Sequence, residues 1–552
     1  MKKFQNNVRG VTLVALVLTI IILLILAGIT ISSLTNTGIF GKAKEAKEKS
    51  EDAQRNEQDM LGQYMNEHNK QTSEEKFEKT KGVNKPELMQ GMKAIKFTDP
   101  SGDTEGTVQQ VSDSTSTDWY DYSTKKWANA QTEDGSMWVW IPRYAYKIVY
   151  NDPNDKSKGG KFDVVFLIGT TDEYYDEKGN LQTAQRQTSE NQIIETDSTK
   201  TDKYTVHPAF TNESSIGHAN GGWNQELTGI WVAKFEAGYA TSNGNSAPKK
   251  ASSVNYSQTD AWASARNWID GVYGSTTTAI KYPTFQGLAY SMNYINHNDA
   301  FSISRALTES GNIYGLSKST TDSHLMKNSE WGAVTYLAQS QYGLNGTNIY
   351  INNANLRNSQ PSVYAITGCS GETEDATEVE VKIDTVTNKP VTTDSTKKIY
   401  TWTQSNGTKA STTGTIYGIY DMSGGAWERT ASLINNGDGN LTTYGKSLMN
   451  SLINGKSSQY VTAYSVSENK DSGQNNWSAN TKIGDAIHET STGSEGKYSW
   501  HNDYAFFPTG NGPFSVRGGT FGNSDASGLF YFTRNFGRSN YDVGFRSVLV
   551  AL

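Results

Sequence analysis

Residues 417–428 read Tyr-Gly-Ile-Tyr-Asp-Met-Ser-Gly-Gly-Ala-Trp-Glu and carry the clearest indication of the fold. The adjacent glycines Gly424 and Gly425 predict a turn that needs positive φ or close backbone approach. Trp427 is most simply interpreted as a core ring. Glu428 is a candidate for one half of a buried, hydrogen-bonded ion pair. The stretch therefore predicts a structural framework rather than a catalytic site.

Related short motifs lie on both sides of this stretch. Upstream are Gly-Ile-Trp-Val-Ala-Lys-Phe-Glu at Gly229–Glu236 and Leu-Met-Lys-Asn-Ser-Glu-Trp at Leu325–Trp331. Downstream are Val-Arg-Gly-Gly at Val516–Gly519 and Gly-Phe-Arg at Gly544–Arg546. Their arginines are candidates for the cationic side of buried ion pairs, and their paired glycines for further turns.

In this order, the motifs resemble those of the formylglycine-generating-enzyme (sulfatase-modifying-factor) family. The resemblance implies an irregular α+β fold of the C-type-lectin-like kind from about residue 130 to 550. It also implies structural roles for the motif residues Asp421, Gly424, Trp427, Glu428, Arg517, Gly518, Gly519, Gly544, Phe545 and Arg546.

Enzymes of that family oxidise a substrate cysteine with a pair of active-site thiols that hold copper. This chain contains a single cysteine, Cys369, so we expect no such activity, no catalytic residues and no cofactor. No two histidines stand at metal-ligand spacing. The loop Asn436–Asn440 resembles a calcium loop in composition only, and a structural calcium ion is left open. A sulfatase-modifying-factor-type oxidase remains the enzyme alternative.

Composition narrows the class of protein further. Of 552 residues 11% are aromatic, which argues against a disordered chain, and the net charge of −7 argues against a nucleic-acid partner. Short aromatic and β-branched runs such as Trp138–Ile141 predict strands, and Ser329–Tyr342 is predicted to be a helix. We expect one large domain over 92–552, with an acidic insertion or hairpin at 370–396.

The N-terminus predicts a membrane anchor. Val11–Ile31 contains no charge and follows Lys2, Lys3 and Arg9. A run of about 20 apolar residues spans a bilayer core, and the basic flank keeps the N-terminus cytoplasmic. We therefore expect a transmembrane helix over 11–33, a charged helical stalk and linker over 34–91, and an extracellular head on a single-pass protein of the cell membrane.

Arg9–Val14 resembles the prepilin cleavage motif of type IV pilin-like proteins. The resemblance implies a leader over residues 1–10, cleavage by a prepilin peptidase after Gly10, and methylation of the new N-terminal Val11. Ala15 stands where the family usually carries the Glu that registers subunits, so assembly into a pilus with other pilin-like subunits is left open. A plain transmembrane anchor is the alternative.

The segment Phe521–Asp542, between the two closing motifs, predicts a binding surface. Tyr, Phe, Ser, Gly, Asn and Arg dominate it, as they dominate antibody paratopes. Its position resembles the variable region of C-type-lectin proteins diversified by retroelements, and none of its 22 residues is Lys, Glu, Gln, Trp or Met, the types that mutation of adenines in Asn codons cannot reach. The candidate ligand-binding residues are Phe521, Asn523, Asp525, Tyr531, Arg534, Asn535, Phe536, Arg538, Asn540 and Tyr541. An ordinary loop-rich terminus is the alternative.

Together these features predict a surface-anchored, non-catalytic, adhesin-like protein that displays a variable C-terminal site within residues 517–546. Its expected partners are the membrane and an extracellular protein or carbohydrate ligand. A structural minor pilin without a ligand is the second alternative.

Overall fold

The computed structural model describes residues 16–26, 46–47, 49–50, 53–54, 72–111, 118–238, 283–293, 295–352, 365–371, 381–383, 390–392 and 394–552. Two compact units divide the chain, Met1–Thr72 and Ser73–Leu552. The predicted processing residues Gly10 and Val11 lie outside the described residues.

The described part of the first unit corrects the sequence prediction. No helix among the described residues has both the length and the apolar character needed to cross a membrane. This finding contradicts the predicted transmembrane helix, the single-pass membrane location and the fold class that included them.

The second unit is built mostly of short strands, numbered here in chain order. The first twelve are β1 Phe77–Glu78, β2 Val83–Asn84, β3 Lys93–Phe97, β4 Val108–Gln110, β5 Asn129–Gln131, β6 Met137–Pro142, β7 Tyr144–Tyr150, β8 Gly160–Phe166, β9 Glu173–Tyr175, β10 Leu181–Thr183, β11 Thr205–Val206 and β12 Gly229–Ala233. The others are β13 Thr321–Leu325, β14 Cys369–Ser370, β15 Val381–Ile383, β16 Pro390–Thr392, β17 Tyr400–Thr401, β18 Trp427–Ile434, β19 Thr462–Tyr464, β20 Phe514–Gly518, β21 Gly528–Asn535, β22 Val543–Phe545 and β23 Ser547–Ala551.

Two sheets organise the unit. The larger has seven strands in the order β13-β23-β12-β6-β5-β3-β4, so the C-terminal strand β23 lies between two strands from the middle of the chain. The other has five strands in the order β19-β18-β20-β21, with β22 parallel to β18. The second sheet contains parts of both closing motifs and, in β21, residues 528–535 of the predicted binding segment.

Helices are few and short. They are α1 His297–Arg305, α2 Asn328–Ala338, α3 Gly439–Tyr444, α4 Lys446–Asn450 and α5 Gly473–Ser478. The helix predicted over Ser329–Tyr342 is confirmed as α2, although it ends four residues before the predicted end, at Ala338. At its start the Glu330 carboxylate accepts a hydrogen bond from the Lys327 backbone N–H at 2.9 Å, which satisfies one of the free donors of the first turn.

The runs predicted as strands are central strands. Every residue of β6 and of β12 is buried, because β6 pairs with β5 and β12, and β12 also pairs with β23. A strand covered on both faces needs apolar residues throughout rather than in alternation. This explains the continuous run Trp138–Ile141.

Residues 73–91, expected within the stalk and linker, lie in the compact second unit. Val83 and Asn84 on β2 are fully buried, and the Asn84 side chain donates to the carbonyls of Gly169 and Thr228 at 3.0 Å each. A buried amide that bridges two distant loops ties this stretch into the unit.

Candidate functional site

The motif residues converge on a buried framework around Arg546. Its guanidinium donates to both carboxylate oxygens of Glu428, at 2.8 and 2.6 Å, and to the carbonyls of Ala233 and Tyr420, at 2.7 Å each. Both charged side chains are excluded from solvent. The ion pair expected between Glu428 and an arginine is therefore present, and the same guanidinium links β18 to β12, the strand of the early motif.

Two further buried carboxyls lie beside this pair. Glu236 accepts hydrogen bonds from the Ser291 hydroxyl at 2.6 Å and the Ala426 N–H at 2.9 Å. Asp421 accepts from the Gly368 N–H and the Asn352 amide, both at 2.8 Å. Burial, together with the charges of Asp421 and Glu428, raises the pKa of Glu236 well above its usual range. One guanidinium facing several carboxyls thus favours a protonated Glu236.

The other motif residues take structural positions. Gly424 has φ +76°, and a Cβ there would lie 2.2 Å from the Asn352 carbonyl oxygen. Gly425, Gly518 and Gly519 also have positive φ, Phe545 is buried, and Gly544 lies beside the Glu236 carboxyl. Arg517 differs from the prediction, because its guanidinium donates to the backbone carbonyls of Asp485 and Ala486 rather than to a carboxylate. Trp427 is half-buried rather than a core ring, since it is the first residue of β18.

Two of the predicted ligand-binding residues are buried. Phe521 is 3% exposed and packs with Ala365 and Ala426, and Tyr531 on β21 is 2% exposed. The strand has no inside–outside alternation over residues 528–533, all of which are buried. The segment 504–506 pairs with its edge, and the Tyr504 ring centroid lies 5.9 Å from that of Tyr531. Phe532 N–H donates to the Tyr504 carbonyl at 3.0 Å, and Phe506 N–H donates to the Phe532 carbonyl at 2.9 Å. Phe521 and Tyr531 are therefore corrected from contact residues to packing residues.

Five side chains beside this covered strand form what we call the Arg–aromatic surface: Tyr504, Phe506, Arg534, Phe536 and Arg538. The Arg534 guanidinium lies 4.7 Å from the centroid of the Phe506 ring and 5.8 Å from that of Phe536. The Arg538 guanidinium lies 5.1 Å from the Phe536 centroid. Cations and rings thus alternate across a surface in which every member remains at least partly exposed.

A buried arginine fixes the chain that carries this surface. Arg429 on β18 donates to the Asn535 side-chain oxygen at 2.9 Å, to the Arg538 carbonyl at 2.6 Å and to the Ile295 carbonyl at 3.1 Å. Burial lowers its pKa to about 9. Asn535 also accepts from the Gly537 N–H at 2.8 Å, so its amide holds the loop rather than projecting as a free contact.

The remaining predicted residues do not join the surface through any contact in the described part of the chain. Asn523 accepts a hydrogen bond from the Thr520 N–H at 2.7 Å within a turn. Asp525 forms an exposed ion pair with Lys497 at 2.9 Å. Asn540 accepts from the Tyr541 N–H at 3.0 Å, and Tyr541 packs against the Phe521 cluster. Of the predicted set, Arg534, Phe536 and Arg538 are therefore the ones brought together.

A surface cavity of about 410 Å³ adjoins Arg534. Its lining residues are Asn436, Asp438, Lys470, Asp471, Gly510, Asn511 and Arg534. Arg534 thus belongs to both the cavity and the Arg–aromatic surface, and the two form one continuous candidate site.

Sequence reasoning missed several members of this site. Tyr504 and Phe506 are separated by the buried Ala505, a two-residue alternation that could have identified them as outward-facing rings. Lys470 and Asp471 lie in a polar stretch with no distinguishing pattern. Hydrogen bonds to the Lys470 carbonyl, among them one from the Gly510 N–H at 3.0 Å, bring them to the site.

The site does not offer the ligands of a metal or of thiol chemistry. The described residues contain no group of three or more His, Cys, Asp or Glu side chains placed to hold a metal ion. The cavity lining holds two carboxylates, Asp438 and Asp471, together with two cations, Lys470 and Arg534, a set that does not suit calcium. Cys369 is buried away from solvent, and burial raises the pKa of its thiol well above the usual range.

No protein-family model matches the chain, and no curated protein matches it either.

Proposed function

We propose that this protein is a non-catalytic ligand-binding protein and that its ligand binds to the Arg–aromatic surface and the adjoining cavity. One observation carries the proposal. Two guanidinium groups lie against partly exposed rings beside a cavity, and within the described chain no carboxylate pairs with either of them.

The chemistry of these groups favours recognition. Arg and aromatic residues contribute most of the binding energy in protein interfaces. A guanidinium offers several N–H donors in a fixed plane. In the described part of the chain, the guanidiniums of Arg534 and Arg538 donate none of these to a protein acceptor. The donors are therefore available to a ligand.

The attachment of the Arg–aromatic surface to a sheet and to a hydrogen-bonded loop supports the same proposal. Arg534 extends from β21, which pairs with β20 within the five-stranded sheet, and Arg429 holds the following loop by two hydrogen bonds. A surface fixed before binding loses little conformational entropy when the ligand arrives. Glu428 of the buried framework lies on β18 of the same sheet, where it pairs with Arg517 on β20.

Diversification by a retroelement extends the proposal, and it rests on the resemblance of the C-terminal segment alone. A near-repeat of the last codons downstream of the gene, beside a reverse-transcriptase gene, would support it. Absence of both from the locus would contradict it.

Two ligand libraries test the proposed function while the ligand itself is still unidentified. The purified full chain is screened against a printed glycan array and a displayed library of random linear peptides. The variant Arg534→Ala/Phe536→Ala/Arg538→Ala is screened in parallel. We expect ligands that bind the native chain and lose about tenfold or more in affinity with the variant, because its hot-spot side chains are gone.

A matched control removes one ring and two cations elsewhere. Tyr175, Lys178 and Lys203 are exposed and do not line the cavity, so Tyr175→Ala/Lys178→Ala/Lys203→Ala should bind like the native chain. Equal binding by both triple variants, or no ligand enriched on the native chain from either library, would overturn the proposal.

A further inference from the structure

Three separate segments of the chain, joined by hydrogen bonds, form the walls of the cavity beside Arg534. Asn436 donates from its side chain to the Gly510 carbonyl at 2.7 Å, and Gly510 N–H donates to the Lys470 carbonyl at 3.0 Å. The Thr509 hydroxyl also donates to the Lys470 carbonyl at 3.0 Å. These bonds use main-chain oxygens and leave most polar side chains of the lining free.

Three of those side chains have no protein partner. Within the described chain, the Lys470 ammonium, the Asp471 carboxylate and the Asn511 amide form no hydrogen bond or ion pair. Asp438 uses one carboxylate oxygen to accept the Asn440 N–H at 2.8 Å. Donors and acceptors of both signs therefore converge on one space without satisfying one another.

The Arg534 side chain forms the remaining part of the cavity wall, and Gly512 sets its position. A Cβ at Gly512 would lie 3.0 Å from Arg534 Cδ and 3.2 Å from its Cβ and Cγ. The aliphatic part of Arg534 therefore packs directly on the turn at Thr509–Gly512. Its guanidinium is placed between the cavity and the Phe506 and Phe536 rings.

From these features we infer that the cavity binds a neutral saccharide. Lys470 and Arg534 balance Asp438 and Asp471, so the lining has no net formal charge. Two carboxylates would repel an acidic ligand, and two cations would repel a basic ligand. Sugar hydroxyls both donate and accept, so they can satisfy carboxylates, amides and cations together.

Size and surroundings agree with this ligand class. About 410 Å³ falls within the range of roughly 300–1,000 Å³ typical of small-molecule sites. The half-exposed Phe506 and Phe536 rings lie against Arg534, which lines the cavity. They offer apolar faces to the C–H face of a sugar ring. This inference rests on the proposed ligand-binding function and names the ligand class for the same site.

The experiment measures binding of defined saccharides to the full chain by titration calorimetry. The neutral probes are maltotriose, cellotriose and lactose, and the charged controls are a galacturonic acid trimer and a glucosamine trimer. We expect at least one neutral probe to bind and both charged controls to bind about tenfold or more weakly.

Charge-changing variants sharpen the test. Asp471→Asn keeps the shape of the side chain but leaves the lining with a net positive charge. This variant should weaken binding of the neutral probe about tenfold and strengthen binding of the galacturonic acid trimer. Gly512→Ala should weaken the neutral probe by displacing Arg534, whereas Asp202→Asn, at an exposed aspartate outside the lining, should change neither affinity.

The outcomes separate this inference from the broader proposal. If random peptides bind the Arg–aromatic surface but no neutral saccharide binds, the saccharide inference fails and the proposed function stands. Tighter binding of a charged probe to the native chain, or neutral binding unaffected by Asp471→Asn, would also overturn the inference. If the native chain bound no ligand from either library, the inference and the proposed function would both be overturned.

Discussion

The framework around Arg546 and the Arg–aromatic surface use the same residue types for opposite purposes. Arg546 is fully buried, and its N–H groups bond two carboxylate oxygens and two carbonyls. Arg534 is partly exposed and lies on two aromatic rings. The comparison shows that burial and satisfied donors, rather than residue identity, distinguish an arginine that stabilises the fold from one available to a ligand.

Arg429 and Arg517 form an intermediate class. Both are buried, and neither forms an ion pair within the described residues. Burial lowers their pKa, to about 9 for Arg429 and about 10 for Arg517. Uncharged oxygens accept their hydrogen bonds instead, those of Asn535, Ile295 and Arg538 for Arg429 and those of Asp485 and Ala486 for Arg517. Arg429 thus supports the surface, while Arg517 packs over Trp331 at 5.5 Å.

The largest effect is expected from breaking the framework. Arg546→Ala leaves Glu428 buried without its partner, which costs about 3–5 kcal/mol in comparable buried pairs. Urea unfolding of the full chain should show this loss, or no folded protein at all. The matched control Arg538→Ala removes an exposed arginine and should change the free energy of unfolding by less than about 0.5 kcal/mol. Similar losses for the two variants would contradict the comparison.

A second prediction compares two rings of the same segment. Tyr531→Ala should destabilise the protein by about 3 kcal/mol because its ring is buried, and Phe536→Ala should cost much less because its ring is partly exposed. Thermal melts together with binding of an enriched ligand measure both effects. We expect Phe536→Ala to lower affinity with little change in Tm. If Tyr531→Ala left Tm unchanged, its assignment to the packed side would be wrong.

The smallest effect concerns Asp503, a buried carboxyl beneath β21. It accepts the Phe530 N–H at 2.8 Å, and burial raises its pKa to about 8. The unfolded carboxyl titrates at about 3.9, so between these values the folded state holds a proton that the unfolded state has lost. Stability should therefore fall as pH rises toward 8, by about 1.4 kcal/mol per pH unit.

The useful window lies above pH 6.5. Burial lowers the pKa of His207 to about 3 and of His488 and His501 to about 4, so their contribution to stability is lost as pH falls below 6.5 and is complete above it. Unfolding free energies at pH 6.5, 7.2 and 8 should decline for the native chain. Asp503→Asn should make that decline shallower, while Glu236 and His324, whose pKa values are also raised, still contribute to it. An unchanged slope in this variant would exclude Asp503 as a cause.

Much of the framework was predictable from the chain. Paired glycines at 424–425 and 518–519 indicated positive φ, and continuous apolar runs such as Trp138–Ile141 indicated buried strands. These features depend on local sterics and on hydrophobic pattern, which a sequence displays directly. The N-terminal apolar run is a pattern that the structure does not bear out, since no helix among the described residues is long and apolar enough to cross a membrane.

The candidate site, like the framework, was predictable from the sequence only in part. The composition of the C-terminal segment is legible in the sequence, and it made Arg534, Phe536 and Arg538 candidates for binding. Three relations required the folded chain: Tyr504 packs 5.9 Å from Tyr531, Arg429 binds the loop, and Lys470 and Asp471 line the same cavity as Arg534. These relations join residues tens of positions apart. Their pairing depends on which strands become neighbours, a choice set by burial summed over the whole sheet rather than by any local pattern.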